Sequence, residues 1–297
     1  MSASISIVIP TYNRATSVLK IIRQASDQLA ISDELVVVDD ASPDNTASQI
    51  PEVRGVRATR NQKNLGMVGN WNESLRQAKA EWVLTVHDDD DLHPQALQTL
   101  RRAIERADGK PCVIAGGHLG AFRDDPERYL YSAPGTWAVL NAPAIPSGIA
   151  IHRSLMEEGV FDAAFSYSSD LELFPRYAKT FPTLWVESPT LVRYNMHGDN
   201  LQYSTWKKPD FVEQLDLLVR KVGTYAGLSG ADLNRYVDEK MGGYIAHVMR
   251  HSYRNGERKL FRDYSKLLRG RSGLGRRMRL ASFIGSKTGW CPRGLIQ

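Results

Sequence analysis

Cysteine is nearly absent. Cys112 and Cys291 are the only two in 297 residues, too few for a disulfide framework and without zinc spacing, so a reducing compartment is expected. Long apolar runs are missing as well: no stretch reaches the roughly 18 uninterrupted apolar residues of a membrane span. The start, Met1-Ser2-Ala3-Ser4, has no basic n-region, so no secretory leader is expected and the location is read as cytoplasmic. Glycine-rich phosphate loops are also lacking, with neither GxGxxG after a strand nor GxxxxGK[ST]. There is no Gly-x-Ser-x-Gly elbow, no zinc-type cluster of His, Cys and Glu, and no internal repeat or low-complexity tract. Hydrophobic residues at 42% and charged residues at 24% exclude a disordered or collagen-like chain. The length allows one large domain or two ordinary ones, each able to bury a core.

Charge is unevenly placed. Residues 254–297 hold 12 Lys/Arg against 2 Asp/Glu, whereas the rest of the chain is mildly acidic within an overall net charge of +5. A basic tail suits nucleic acid, anionic lipid or a polyanionic substrate. The acidic body and the lack of a nucleic-acid motif argue against the first.

Over the first 115 residues, short apolar runs alternate with helical patterns. Ile5 to Ile9, Leu35 to Val38, Val53 to Thr59, Trp82 to Val86 and Cys112 to Ala115 read as strands, most of them buried on both faces. Thr16 to Gln28, Val68 to Ala80 and Pro94 to Ala107 carry apolar stripes at helical spacing, the last with Pro in its first turn. Strand and helix in alternation predict a parallel sheet with right-handed crossovers and a ligand at the carboxyl ends of its strands. Farther on, Ser147 to Ile151, Leu184 to Glu187 and Thr190 to Tyr194 read as strands and Ser169 to Lys179 as a helix. Lys207 to about Leu268 reads as a helical appendage, and Ser272 to Gln297 has no clear period.

Three strand ends carry unusual polar residues. His87-Asp88-Asp89-Asp90-Asp91 sets four carboxylates side by side. They repel unless a cation or solvent offsets their charge, and Mg²⁺ takes one or two protein carboxylates plus phosphate oxygens. A solvated acidic cap on the helix after Pro94 is the plainer alternative. Asp39-Asp40 can accept from a base N–H or a ribose hydroxyl, or can simply start a turn. Thr11-Tyr12-Asn13-Arg14 follows Pro10. With no glycine loop to grip a phosphate, a metal must carry that task.

In order, Ile7-Val8-Ile9-Pro10-Thr11-Tyr12-Asn13-Arg14, Val36-Val37-Val38-Asp39-Asp40-Ala41-Ser42-Pro43-Asp44 and the aspartate cluster resemble family 2 glycosyltransferases. Asn64-Leu65-Gly66 followed by Asn70 resembles the segment that this family carries between its second and third motifs. The resemblance implies an α/β GT-A fold: a Rossmann-like, mixed but mostly parallel sheet flanked by helices, here over residues 1–205. Within it, 1–115 would be the nucleotide-sugar half and 116–205 the acceptor and base half. Residues 206–297 would be a helical C-terminal region with the basic tail.

The resemblance also implies roles. Pro10, Thr11, Tyr12, Asn13, Arg14, Asp39, Asp40, Asn64, Gly66, Asn70, Asp88 and Asp90 would bind the donor. A divalent ion, Mg²⁺ or Mn²⁺, would sit on Asp89, five residues before Pro94, with His197 of the Arg193–Asn200 segment near it. His87 then occupies the first position of the DxD motif, where an acid is usual, and Asp88 and Asp90 leave the register open by one residue. After Gly159-Val160-Phe161-Asp162, Asp170 matches the general base and Ser169 replaces the acid that usually precedes it. The implied reaction is inverting transfer from a UDP- or dTDP-sugar to a hydroxyl of a glycan or lipid-linked acceptor, in cell-surface polysaccharide synthesis. Arg269, Arg271, Arg276, Arg277 and Arg279, interleaved with Leu274, Met278, Leu280, Phe283 and Ile284, would rest on the inner membrane face. A nucleotidyltransferase and a non-catalytic sugar-nucleotide or glycan-binding module are the rival readings. The first lacks its basic glycine loop, and the second has no use for Asp170.

Overall fold

The computed structural model describes residues 3–142, 145–156, 160–195, 205–269, 276–289 and 291. Two compact units divide the chain, Met1–His197 and Gly198–Gln297.

The first unit is built on an eight-stranded sheet. In chain order its strands are β1 (Ile5–Thr11), β2 (Glu34–Asp39), β3 (Val56–Arg60), β4 (Trp82–Thr85), β6 (Val113–Ala115), β8 (Arg128–Ser132), β9 (Ile149–His152) and β10 (Thr183–Ser188), arranged β3-β2-β1-β4-β9-β6-β10-β8. β1, β2, β3 and β4 run parallel, as do β6 and β10. β9 is antiparallel to both β4 and β6, and β8 to β10. A small second sheet sets β11 (Val192–Tyr194) between β5 (Asp91–Leu92) and β7 (Gly117–Leu119).

The unbroken apolar strands have a physical cause, because side chains alternate across a sheet covered on both faces. Ile5, Ile7 and Ile9 meet Val18, Ile21 and Ile22 of α1 (Ala15–Ser26) and Leu97 and Leu100 of α4 (Ala96–Arg106). Val8, Val36 and Val38 face the other way. They join Val68, Trp71 and Leu75 of α3 (Gly66–Gln77) and Leu173, Phe174 and Tyr177 of α6 (Ser169–Thr180). Two short helices, α2 (Thr46–Gln49) and α5 (Thr136–Leu140), and two 3₁₀ turns, Arg153–Leu155 and Ala163–Phe165, complete this unit among the described residues.

Four expectations shift. The third strand starts at Val56, after Gly55 turns the chain with φ +80°. α4 begins at Ala96, so Pro94 precedes the helix rather than opening it. β9 reverses direction within the sheet, and β5, β7 and β8 lie where no strand was read. Their two, three and five residues are too few, or too mixed in polarity, to show a period.

The second unit is helical: α7 (Phe211–Tyr225), α8 (Gly230–Arg254), α9 (Arg258–Arg269) and α10 (Arg276–Thr288). α10 lies in the segment read as aperiodic. Its buried face is made of Ala281, Ser282, Gly285 and Ser286 rather than large apolar residues. A Cβ on Gly285 would come within 2.6 Å of the Phe261 ring and 2.5 Å of Ser265 Oγ, so smallness sets the close approach of α9 and α10.

Candidate active site

β1, β2 and β4 end side by side, which brings their three polar termini to one edge of the sheet. After β4 the chain turns through the acid cluster, and the four carboxylates part company. Thr11 Oγ1 donates to Asp88 Oδ2 at 2.6 Å. Burial lifts the Asp88 carboxyl to about 7 despite that bond. Asp89 stands 3.4 Å from the Arg14 guanidinium. Asp90, 1% exposed, accepts the Asn195 backbone N–H at 2.9 Å, and burial lifts it to about 7 as well. Its Oδ2 has no hydrogen-bond partner among the described residues.

Asp91 belongs to the frame rather than to the cluster. Burial would raise its pKa, but Lys20, Arg193, Asn195 and Gln24 all donate to it and hold it well below the usual carboxylate range. These bonds tie α1, β5 and β11 together. Asp91→Ala is therefore expected to cost about 1–3 kcal/mol, the desolvated partners being left unmet, read as a lower urea midpoint with an unchanged slope.

His87 sits at the cluster's entrance. Its backbone N–H donates to Ser147 Oγ at 3.1 Å, and its ring stacks on Trp71 with centroids 5.0 Å apart and planes 24° from parallel. Burial depresses its pKa to about 4, against the pull of Asp89. Nε2 is buried without a partner among the described residues. One ligand atom each from His87, Asp89 and Asp90 lie within 4.8 Å of one another. Two acids and a histidine, two of them with a buried atom that has no partner among the described residues, fit a divalent cation.

The other donor-side residues form a cradle. Asp39 accepts from Arg60 at 2.9 Å and from Ser42. Asp40 Oδ1 accepts from Asn61 Nδ2 and the Leu65 N–H, both at 2.8 Å. Asn70 Nδ2 reaches the carbonyls of Val38 and Thr11, while its Oδ1 accepts from Asn61. Asn61 thus bridges two predicted positions, and no motif marks it. Asn13 adopts φ 55° after Pro10 and donates its N–H to Ser42 Oγ at 2.8 Å, which leaves Tyr12 46% exposed. Asn64 Oδ1 accepts the Gly66 N–H at 2.9 Å, a turn that opens α3 with Gly66 at φ +74°.

Asp170 lies in the first turn of α6. Burial raises it to about 6, opposed by its own N–H and that of Leu171. The preceding Ser169 is buried, and its hydroxyl has no partner among the described residues. α6 is tied back to α3: Arg176 bonds Glu172 and the Val160 carbonyl, and Asn72 exchanges two 2.8 Å bonds with the Phe161 backbone. The Phe161 ring meets Trp71 at 4.8 Å, on the indole that carries His87. A cavity of about 260 Å³, lined in part by Gly117, His118, Arg123, Trp185, Glu187 and Thr190, opens near the carboxyl ends of β6 and β10. His197 lies outside the described residues.

The family described as Glycosyl transferase family 2 matches residues 6–151, from β1 to β9 and across the acid cluster. Residues 6–151 form a glycosyltransferase family 2 domain. Over 118 residues the chain is 35% identical to the succinoglycan biosynthesis protein ExoO of Rhizobium meliloti strain 1021, covering 39% of this chain and 33% of that protein. Over 101 residues it is 35% identical to the GalNAc(5)-diNAcBac-PP-undecaprenol beta-1,3-glucosyltransferase of Campylobacter jejuni, covering 32% of this chain and 33% of that one. The chain spans about a third of the length of these curated relatives. S. aureus TarS residues 1–349, solved with UDP-GlcNAc, share the fold with a TM-score of 0.64 at 17% identity, covering 96% of this chain and 87% of that one. The α/β, mostly parallel sheet with flanking helices is therefore the GT-A fold of this family.

Proposed function

We propose that the protein transfers a sugar, with inversion, from a nucleoside-diphosphate sugar to a hydroxyl of a glycan or lipid-linked acceptor. The observation that carries this reading is the grouping of His87, Asp89 and Asp90 beyond β4 in a family 2 fold. Asp89 and Asp90 would hold Mg²⁺ or Mn²⁺, which when bound offsets the charge of a departing diphosphate.

The remaining work falls to the chain's own side chains. Pro10 to Arg14 and the Asp39, Asp40 and Asn70 cradle enclose the nucleoside, with Asn64 and Gly66 shaping its rim and Asp88 bracing Thr11. Asp170 accepts the proton of the acceptor hydroxyl as that oxygen attacks the anomeric carbon and the bond from that carbon to the diphosphate oxygen breaks. Trp185 offers an aromatic face, and His118, Arg123 and Glu187 offer hydrogen bonds, a lining suited to an acceptor sugar.

The relative that acts on an undecaprenol-linked substrate supports a lipid-linked acceptor, as does the sugar-nucleotide complex of TarS for the donor. The tail would then rest on anionic lipid. Phe283, 45% exposed, is flanked by Arg269 and Lys287, and Leu280 is exposed beside it; Arg271 and Leu274 lie outside the described residues. No helix among the described residues is long and apolar enough to cross a membrane. Sedimentation with phosphatidylglycerol vesicles at low salt is expected, and Phe283→Ala should weaken it; no sedimentation would remove the membrane role.

Transfer itself is tested by incubating the full chain with UDP- and dTDP-sugars and Mn²⁺ and measuring nucleoside diphosphate released. Slow release without acceptor, and faster release with glycan, is expected. Donor binding without any release would favour the non-catalytic module.

A further inference from the structure

We propose that the divalent cation of this site is bound by a ring nitrogen of His87 together with Asp89 and Asp90, and that this nitrogen makes the site select Mn²⁺ over Mg²⁺. The inference rests on the metal-bearing reading above and goes beyond it, because it names a donor atom and a consequence for metal choice.

The cluster sorts its own members. Asp88 is turned to Thr11, and Asp91 is held by Lys20 and Arg193. What remains within 4.8 Å is a nitrogen of His87 and an oxygen each of Asp89 and Asp90. Two of these residues, Asp90 and His87, each keep a buried atom without a partner among the described residues. Asp90 is 1% exposed, yet its Oδ2 accepts no hydrogen bond from a described residue. His87 Nε2 is buried and equally without a partner, while Nδ1 stands 3.9 Å from Asp90 Oδ2, beyond hydrogen-bond reach. A buried polar atom without a partner is costly, and native structures rarely keep one without a reason.

The ring is also held in place. Trp71 stacks against one face, and the backbone N–H is anchored on Ser147 Oγ. Ser147 is itself fixed from the far side. β7 passes so close that a Cβ on Gly117 would meet the Ser147 carbonyl at 2.1 Å, and Gly148 turns at φ +87° against Gly117. The fold therefore fixes an imidazole where the family resemblance expects an acid, and gives its Nε2 no partner among the described residues. Mg²⁺ favours an all-oxygen shell in strict octahedral geometry, whereas imidazole suits first-row transition ions, and Mn²⁺ accepts both carboxylate and imidazole.

The test is pulsed EPR on Mn²⁺ bound to the full chain, alone and with UDP, using unlabelled and uniformly ¹⁵N-labelled protein. Direct ¹⁴N coupling that changes to ¹⁵N coupling on labelling the protein is expected, and it should vanish in His87→Asp. In competition titrations, His87→Asp should lower the Mn²⁺-over-Mg²⁺ preference by tenfold or more. Bound Mn²⁺ without coupling to protein nitrogen, or with coupling that survives in His87→Asp, would overturn the inference while leaving the metal-bearing reading in place. Wild-type protein that binds no Mn²⁺, with or without UDP, would remove both. Should His87→Asp fail to fold, His87→Gln supplies the same comparison, with loss of the nitrogen coupling expected.

Discussion

Asp170→Asn is expected to lower kcat by on the order of 10²–10⁴-fold, the usual contribution of a positioned general base, while the folded chain keeps its stability. The two halves of that expectation come from one cause. Burial raises the carboxyl to about 6, so ionising it costs the folded state free energy that a neutral amide does not. The raised value also matches the task, since a base close to working pH is both ionised and basic enough to take a hydroxyl proton. Only the ionised form is active, so kcat/KM should fall as pH drops through about 6. Nucleoside diphosphate release between pH 5 and 9 gives the profile, and a urea transition of the variant gives the stability. Turnover within a few-fold of wild type in Asp170→Asn, or an acid limb near pH 4, would take the base assignment away from this residue.

The parts of this arrangement that follow from local chemistry were legible in the sequence. β1, β2 and β4 sit within one or two residues of their expected bounds, because a strand covered on both faces must be apolar throughout. The three polar termini meet because parallel strands place like ends together. What could not be read depended on contacts far apart in sequence. Asp91 looks like its three neighbours until Arg193, 102 residues away, takes it into an ion pair. Asn61 has no signature, and its role appears only when Asp40 and Asn70 converge on it. α10 escaped because its buried face is Ala, Ser and Gly, which no hydrophobic period records.

The pH dependence of metal binding follows from the two buried acids and works against fold stability. Asp88 faces Thr11, Arg14 and Asp89; Asp90 faces Ser147, Asn195, His87, Asp89 and Asp88. In the folded chain each titrates at about 7, against 3.8 when unperturbed. Between those values the folded state keeps protons that the unfolded state has released, so these groups lower stability as pH rises through the window and leave it low above 7. Asp91 acts in the opposite sense: its depressed pKa supplies stability that is present above 3.8 and lost only in stronger acid. A divalent cation binds the ionised acids, so it competes with protons and offsets the penalty where that penalty is greatest. Mn²⁺ should therefore raise the melting temperature strongly at pH 8 and little at pH 5.5. Asp90→Asn removes one buried charge and one ligand together. The metal-free variant is expected to melt above wild type at pH 8 and to lose most of the Mn²⁺ shift. Its turnover should fall by about 10²-fold or more, since charge stabilisation by a metal contributes several kcal/mol. Equal Mn²⁺ shifts at the two pH values, or an Asp90→Asn variant that melts lower than metal-free wild type at pH 8, would mean that the cluster's charge is solvated rather than stored for a cation.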